Sequence, residues 1–369
     1  MSATERIRAF DWLRGVAVLV MIQTHSLVLL QPTLRSGDLF GTLQWIDGLV
    51  APSFIFAAGF AMALTQVRAA LGSKPPLPDA AGSAPGPLEA RRRRFRRTLR
   101  RIGEVLFVAT LTNWAWFPIF REPHWLIRID ILHCIGLSLL IALPVLSLLA
   151  PHPRLLRWSA LGLAAIAFGI APLFEQVPPP WGNFVSFRSG SLFPLLPWSG
   201  YVYLGAAVGA ACAVGGARGA ARWLLGLTAA GIALWMATPN ISVLYPPHEF
   251  WVTDPTNHAR RWTQVCLIAL VLLAVERIQG TWSRSLPVRF VEVFGTSSLA
   301  GYFIHEMLLY YRLAGFSFER VWGNACGWPL YCAVLVLLIA CTFALTWLTD
   351  RIYRRADAWL TAPAAPRPA

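Results

Sequence analysis

The feature that most constrains this chain is repetition. Stretches of roughly 20 mostly apolar residues, long enough to cross a bilayer as a helix, recur from one end of the sequence to the other. Ten can be counted, at about 12–32, 48–68, 101–120, 130–150, 157–174, 194–214, 222–238, 262–276, 292–311 and 329–349, the seventh and eighth being short. Inside lipid a backbone N–H or C=O finds no water, so each stretch must satisfy its own polar groups and become helical. The expected fold is therefore an all-α polytopic membrane protein, a bundle of about ten transmembrane helices. Composition agrees. Hydrophobic residues make up 56% and charged residues 14%, against about 25% charged in soluble domains. This excludes both the two soluble domains that 369 residues would otherwise suggest and a disordered chain, which needs low hydrophobicity and high charge.

The net charge of +14 points to a polyanion or to anionic lipid. The position of the charges decides between them. With the N-terminus inside, 23 of the 32 Lys and Arg residues fall in inside segments and 8 outside, with Arg14 in the first stretch. That is the positive-inside pattern. It sets the orientation as N-in and C-in, and removes nucleic acid as a partner. The first stretch lacks an A-x-A-like cleavage site and is followed by further apolar runs, so it reads as a retained anchor helix. The cysteines (Cys134, Cys212, Cys266, Cys326, Cys332 and Cys341) form no CxxC pair and mostly sit in apolar runs, as small buried hydrophobes do.

The domain expected from this pattern is a transmembrane unit over 1–355, followed by a cytoplasmic tail at 356–369. A cytoplasmic loop at 69–100 interrupts the unit. Its first part, residues 73–88 (SKPPLPDAAGSAPGPL), has the composition of a disordered linker. Residues 91–101 (RRRRFRRTLRR) form a basic stretch that runs into the third span. It suits anionic lipid, or the phosphates of an anionic cofactor. No phosphate-binding glycine loop is present.

Ionisable residues within spans are costly and point to function. In the first span Arg14 and His25 are 11 residues apart. On a helix that is within about 20° of one face and about 16 Å along the axis, so Arg14 lies at the inner mouth with His25 deeper on the same stripe. Asp11 is placed to pair with Arg14 at helical spacing. Asp47 opens the second span, where it either caps the helix or orients a histidine or an acceptor. The ninth span carries Ser297, Ser298, Tyr302, His305 and Glu306. His305 serves either a polar cavity or helix packing, and HEMLL is not a zincin HExxH. Between the seventh and eighth spans, His248, Glu249, Asp254 and His258 cluster at a spacing that matches no recognised metal site. No metal is expected.

Five stretches carry a resemblance: RAFDWLRGVAVLVMIQTHS (8–26), FIFAAGFAMAL (54–64), RIDILHCIGLSLLI (128–141), LFPLLPWSGYVYLGA (192–206) and FGTSSLAGYFIHEMLL (294–309). In this order they resemble the bacterial branch of the heparan-alpha-glucosaminide N-acetyltransferase catalytic-domain family, among the transmembrane acyltransferases related to the acyltransferase-three enzymes. The resemblance implies ten or eleven membrane helices and acyl transfer from cytoplasmic acyl-CoA to a sugar on the far side. The Arg-x10-His pattern of the acyltransferase-three enzymes maps onto Arg14 and His25, and their R-x-x-R element resembles Arg97-Thr98-Leu99-Arg100. In the eukaryotic heparan enzymes the first helix carries an Asn and the catalytic His follows in the outer loop. Here His25 stands in the place of that Asn, and no histidine lies between Ser26 and Asp47.

The expectation is an acyltransferase of the bacterial inner membrane. Arg14, Arg97, Arg100 and Arg101 would bind acyl-CoA, acetyl-CoA by the resemblance. His25 would act as general base or acyl carrier, with Asp47 and His305 orienting a glycan or lipid-linked sugar acceptor. The alternative is a proton-coupled transporter or flippase using the same membrane histidines.

Overall fold

A computed structural model describes residues 7–72, 87–116, 128–278, 285–311 and 315–361. The linker at 73–86, Lys74, Arg121, Arg312 and the tail from 362 lie outside the described residues. The longer helices are α1 (Ala9–Ser26), α2 (Asp38–Asp47), α3 (Val50–Ala70), α4 (Pro87–Trp116), α5 (Ile131–Leu149), α6 (Pro153–Ile170), α7 (Leu195–Met236), α8 (Pro255–Ile278), α9 (Leu286–Thr296), α10 (Ser298–Tyr310) and α11 (Trp328–Thr361). No strand occurs among the described residues, only an isolated parallel bridge between Leu30 and Cys326. The all-α expectation is met.

Six segments among the described residues are long and apolar enough to cross a membrane: Ala9–Leu29, Asp38–Ala70, Ile131–Leu149, Pro153–Phe174, Leu195–Met236 and Trp328–Tyr353. The apolar runs suggested about ten. Two of those runs share α7. A straight helix of its 42 residues would be about 63 Å long, twice the bilayer core. Gly216 breaks it with φ 59° and ψ −152°, a conformation that only glycine adopts readily. A Cβ on Gly219 would lie 2.5 Å from the Ala211 carbonyl oxygen, although eight residues along a straight helix span about 12 Å. The chain therefore doubles back at Gly216. The run at 292–311 is divided at Ser297 into α9 and α10, of 11 and 13 residues. The run at 101–120 continues the basic stretch, which is itself helical within α4. The run at 262–276 lies in α8, whose ends carry Arg260, Arg261, Glu276 and Arg277.

The chain divides into two compact units, and each is described by itself. The first comprises Met1–Leu13 and Gly48–Gly280. Its centre is the first half of α7, buried without interruption from Pro197 to Ala213. Gly205 and Gly209 form a GxxxG pair here, and Gly59 of α3 faces them. Any Cβ at these positions would fall on the carbonyls of Phe56, Phe60 and Val202, so the two backbones touch directly. Lipid supplies no hydrophobic drive between helices, and such close approach lets dispersion hold the pair. The open N-terminus of α1 is closed by Glu276, whose carboxylate accepts from the N–H of Arg8 at 2.7 Å and of Ala9 at 3.0 Å. This satisfies orphan donors and places negative charge at the positive helix end.

The second unit comprises Arg14–Asp47 and Thr281–Ala369. It brings the rest of α1 together with α9, α10 and α11. Phe290, Phe294 and Phe343 pack edge to face and tilted between α9 and α11, with centroids 4.6–5.8 Å apart. Gly301 of α10 faces Phe294 and Val18, which brings α10 onto α1.

Candidate active site

The site grows from the way α1 ends. The apolar run continues to residue 32, but α1 stops at Ser26 and gives way to 3-10 turns at Leu27–Leu29 and Pro32–Leu34. His25 thus occupies the last helical turn and not the middle of a continuous span. A helix end leaves carbonyls without partners, and two tyrosines supply them. The Tyr331 hydroxyl of α11 donates to the Gln23 carbonyl at 3.2 Å, and the Tyr310 hydroxyl of α10 donates to the His25 carbonyl at 3.2 Å. Ser26 Oγ also donates to Gln23 O at 2.8 Å and lies 3.0 Å from the Tyr331 hydroxyl. Past the helix, Gln31 N donates to Cys326 O at 3.0 Å and Cys326 N to Leu29 O at 2.9 Å. Arg35 Nη2 gathers the carbonyls of Val28 and Leu30, each at 2.8 Å. The backbone carrying His25 is therefore pinned on both sides.

Two neighbouring residues of α10 converge on the His25 ring. His25 Nδ1 is 2.7 Å from Glu306 Oε1 and 2.9 Å from His305 Nε2, and those two atoms are 3.3 Å apart. His305 Nδ1 lies 3.1 Å from the Gly301 carbonyl. A carbonyl only accepts, so Nδ1 carries the proton, and in a neutral ring Nε2 presents its lone pair to His25. The Tyr302 ring packs edge-on against His305, with centroids 5.6 Å apart. The His305 and Glu306 side chains are 0% and 5% exposed, whereas that of His25 is 32% exposed. The arrangement is a buried carboxylate and a buried imidazole behind one accessible imidazole. Such a group can hold a proton between its members, orient His25 for proton transfer, or ligate a metal, since its three donor atoms lie within 4.8 Å of one another.

The structure gathers three of the residues expected from sequence. His25 and His305 meet directly, and Asp47, the last residue of α2, accepts a hydrogen bond from the Thr24 side chain, one position before His25, and lies within range of the His25 charge. Arg14 lies half-buried on α1. Arg97, Arg100 and Arg101 are exposed on α4 in the other unit, and Arg100 pairs with Glu104 at 3.1 Å. Glu306 and Tyr310 were missed as site residues. The available signal for Glu306 was a carboxylate in an apolar run beside a histidine, a position lipid penalises unless it is paired.

The cluster at His248–His258 resolves differently. Asp254 caps α8, with Oδ1 accepting from Thr256 N at 2.8 Å and Pro255 in the first helical position, a combination that favours helix initiation. Its Oδ2 accepts from Ser242 at 2.7 Å and faces His248 Nε2 at 2.9 Å. Burial alone would raise the Asp254 carboxyl, but the hydrogen bonds from Thr256, Ser242 and His248 outweigh it and hold the group below the usual aspartate value. His258 spends both ring nitrogens, one on the Tyr201 hydroxyl at 2.7 Å and one on the Val252 carbonyl at 2.8 Å. Glu249 N donates to buried Glu175 at 2.8 Å, which also takes the Thr253 hydroxyl and, at 3.2 Å, Arg188. These residues fold a loop and cap a helix.

Residues 6–236 match the family described as heparan-alpha-glucosaminide N-acetyltransferase, catalytic. The chain belongs to that family. The match covers more than half of the chain and includes Arg14, His25, Asp47, Arg97, Arg100 and Arg101, while His305 and Glu306 lie beyond it. No curated protein matches the sequence. Family and apolar helices together describe a multi-pass membrane protein of an acetyltransferase family.

Proposed function

We propose that this member of the family transfers an acetyl group from cytoplasmic acetyl-CoA to a sugar, free or lipid-linked, at the outer face of a bacterial inner membrane, with His25 as general base. The observation that carries the reading is the 2.7 Å contact between His25 Nδ1 and Glu306. A carboxylate there keeps the proton on Nδ1 and turns the opposite nitrogen, Nε2, into the base. The step balances simply. Nε2 takes the proton of an acceptor hydroxyl or amine as its oxygen or nitrogen attacks the thioester carbonyl. The C–S bond breaks, and the CoA sulfur leaves with the proton from His25. The Glu306 carboxylate and the C-terminal end of α1 both stabilise the imidazolium formed in between.

His305 backs the ring, and Asp47 and Tyr310 fix the position of His25. Arg97, Arg100 and Arg101 hold the donor phosphates by charge-assisted hydrogen bonds, and Arg14 serves the donor arm from the same helix as His25. Neither the family nor the helices favour the transport reading. The test is transfer from labelled acetyl-CoA by the purified protein. His25→Gln is expected to lose about 10²–10⁴-fold in kcat, the range of general base catalysis. An undiminished rate would sink the assignment. A burst of CoA release without acceptor would instead make His25 an acyl carrier.

A further inference from the structure

We propose that His25, His305 and Glu306 also form a binding site for a divalent transition-metal ion of the zinc class, and that its occupancy switches His25 off as a base. The inhibitory half of this rests on the functional reading above; the binding half does not.

Two imidazoles and one carboxylate are a donor set that suits zinc and its neighbours, while magnesium and calcium ask for oxygen ligands. The donor atoms are already gathered, with separations of 2.7, 2.9 and 3.3 Å. A cation about 2.1 Å from all three, the usual zinc distance, would sit roughly 1 Å off their plane, leaving a fourth position for water or chloride. The second sphere is also in place. His305 donates Nδ1–H to the Gly301 carbonyl, which directs the Nε2 lone pair inward, as metal-bound histidines commonly require. His305 and Glu306 are buried while His25 is partly exposed, so the site has both a dry floor and an entry side.

The consequence for the reaction is a change of tautomer. Metal on Nδ1 needs the lone pair there, so the proton of a neutral His25 moves to Nε2. Nε2–H accepts no proton from an acceptor, and transfer stops. The Nδ1–H bond breaks and an Nε2–H bond forms by proton exchange with water, so a neutral ring releases no net proton.

The experiment uses the full chain, purified in detergent and stripped with chelator. Cobalt(II) is titrated in, followed by its visible ligand-field absorption, and then displaced by zinc. One cobalt per chain is expected, with zinc competing. His305→Gln and Glu306→Gln are each expected to weaken binding by more than the roughly 10–100-fold that loss of a second-sphere partner costs, and His248→Gln is expected to leave it unchanged. Zinc should also raise the melting temperature of the wild type, which needs no variant to fold. Absence of the absorption and of the melting shift in the wild type would overturn the site, as would binding that only His248→Gln abolishes. Metal-free protein assayed with and without zinc reads the other half. Binding without inhibition overturns the switch, whereas inactivity of the metal-free protein counts against the transferase reading and leaves the metal site standing.

Discussion

Two groups of histidines and carboxylates in this protein look alike in composition and differ in what their atoms are committed to. At His248–His258 the ring nitrogens of both histidines and the two carboxylate oxygens of Asp254 have local structural tasks. Asp254 caps a helix, His248 and Ser242 hold Asp254, and His258 joins Tyr201 to a backbone carbonyl. At His25–His305–Glu306 the donor atoms face one another, and the ring in front is a third exposed. The first group completes backbone hydrogen bonding. The second concentrates polar atoms where no backbone requires them. Close spacing in sequence marked the group that folds the loop, because capping is a local job. The chemically organised group is assembled across 280 residues.

The contrast can be broken most directly at the two carboxylates. Glu306→Gln is expected to lower kcat by about 100-fold or more, since a misdirected tautomer costs up to 10⁴ in a comparable triad, with the melting temperature little changed. Asp254→Ala should do the opposite: turnover per folded molecule is kept, while chemical denaturation in detergent shows a loss of about 1–2 kcal/mol from the missing cap. Equal effects of the two substitutions on turnover would erase the distinction.

Acid sharpens it further. Asp254 titrates below its ordinary value of 3.8 when folded, so its contribution is complete above that pH and is lost as pH falls through the lower folded value. Wild type should therefore lose stability below about pH 4 more steeply than Asp254→Ala, and parallel melting curves would remove this account. The smallest effect is expected from Tyr310→Phe. It deletes one hydrogen bond to the His25 carbonyl, worth about 0.5–1.5 kcal/mol. The expected result is a several-fold fall in kcat with KM for acetyl-CoA unchanged. A change in KM alone would place Tyr310 against the donor and not behind His25.

Much of the architecture was legible from hydrophobicity. Apolar runs named the helices, because a chain in lipid has few other options. The breaks were legible only in part. The runs at 194–214 and 222–238 already part around Gly216, where the backbone reverses within α7. By contrast the run at 12–32 hid the end of α1, since Leu27–Leu30 are as apolar as the helix before them. In the site, Arg14, His25, Asp47 and His305 stood out as ionisable groups in apolar surroundings. Glu306 carried the same mark but had no partner in reach until α10 was placed.

The sequence by itself determined that the chain is helical, that it is built for a membrane, and which family it joins. Each of these follows from composition and order summed over many residues. Only the tertiary structure decided which histidines work together. A pairing across 280 positions depends on where two helices meet, and that is set by close contacts such as Gly301 against Val18 and by tyrosines capping the end of α1. Hydrophobic patterning places a residue inside; packing at ångström scale selects its neighbour.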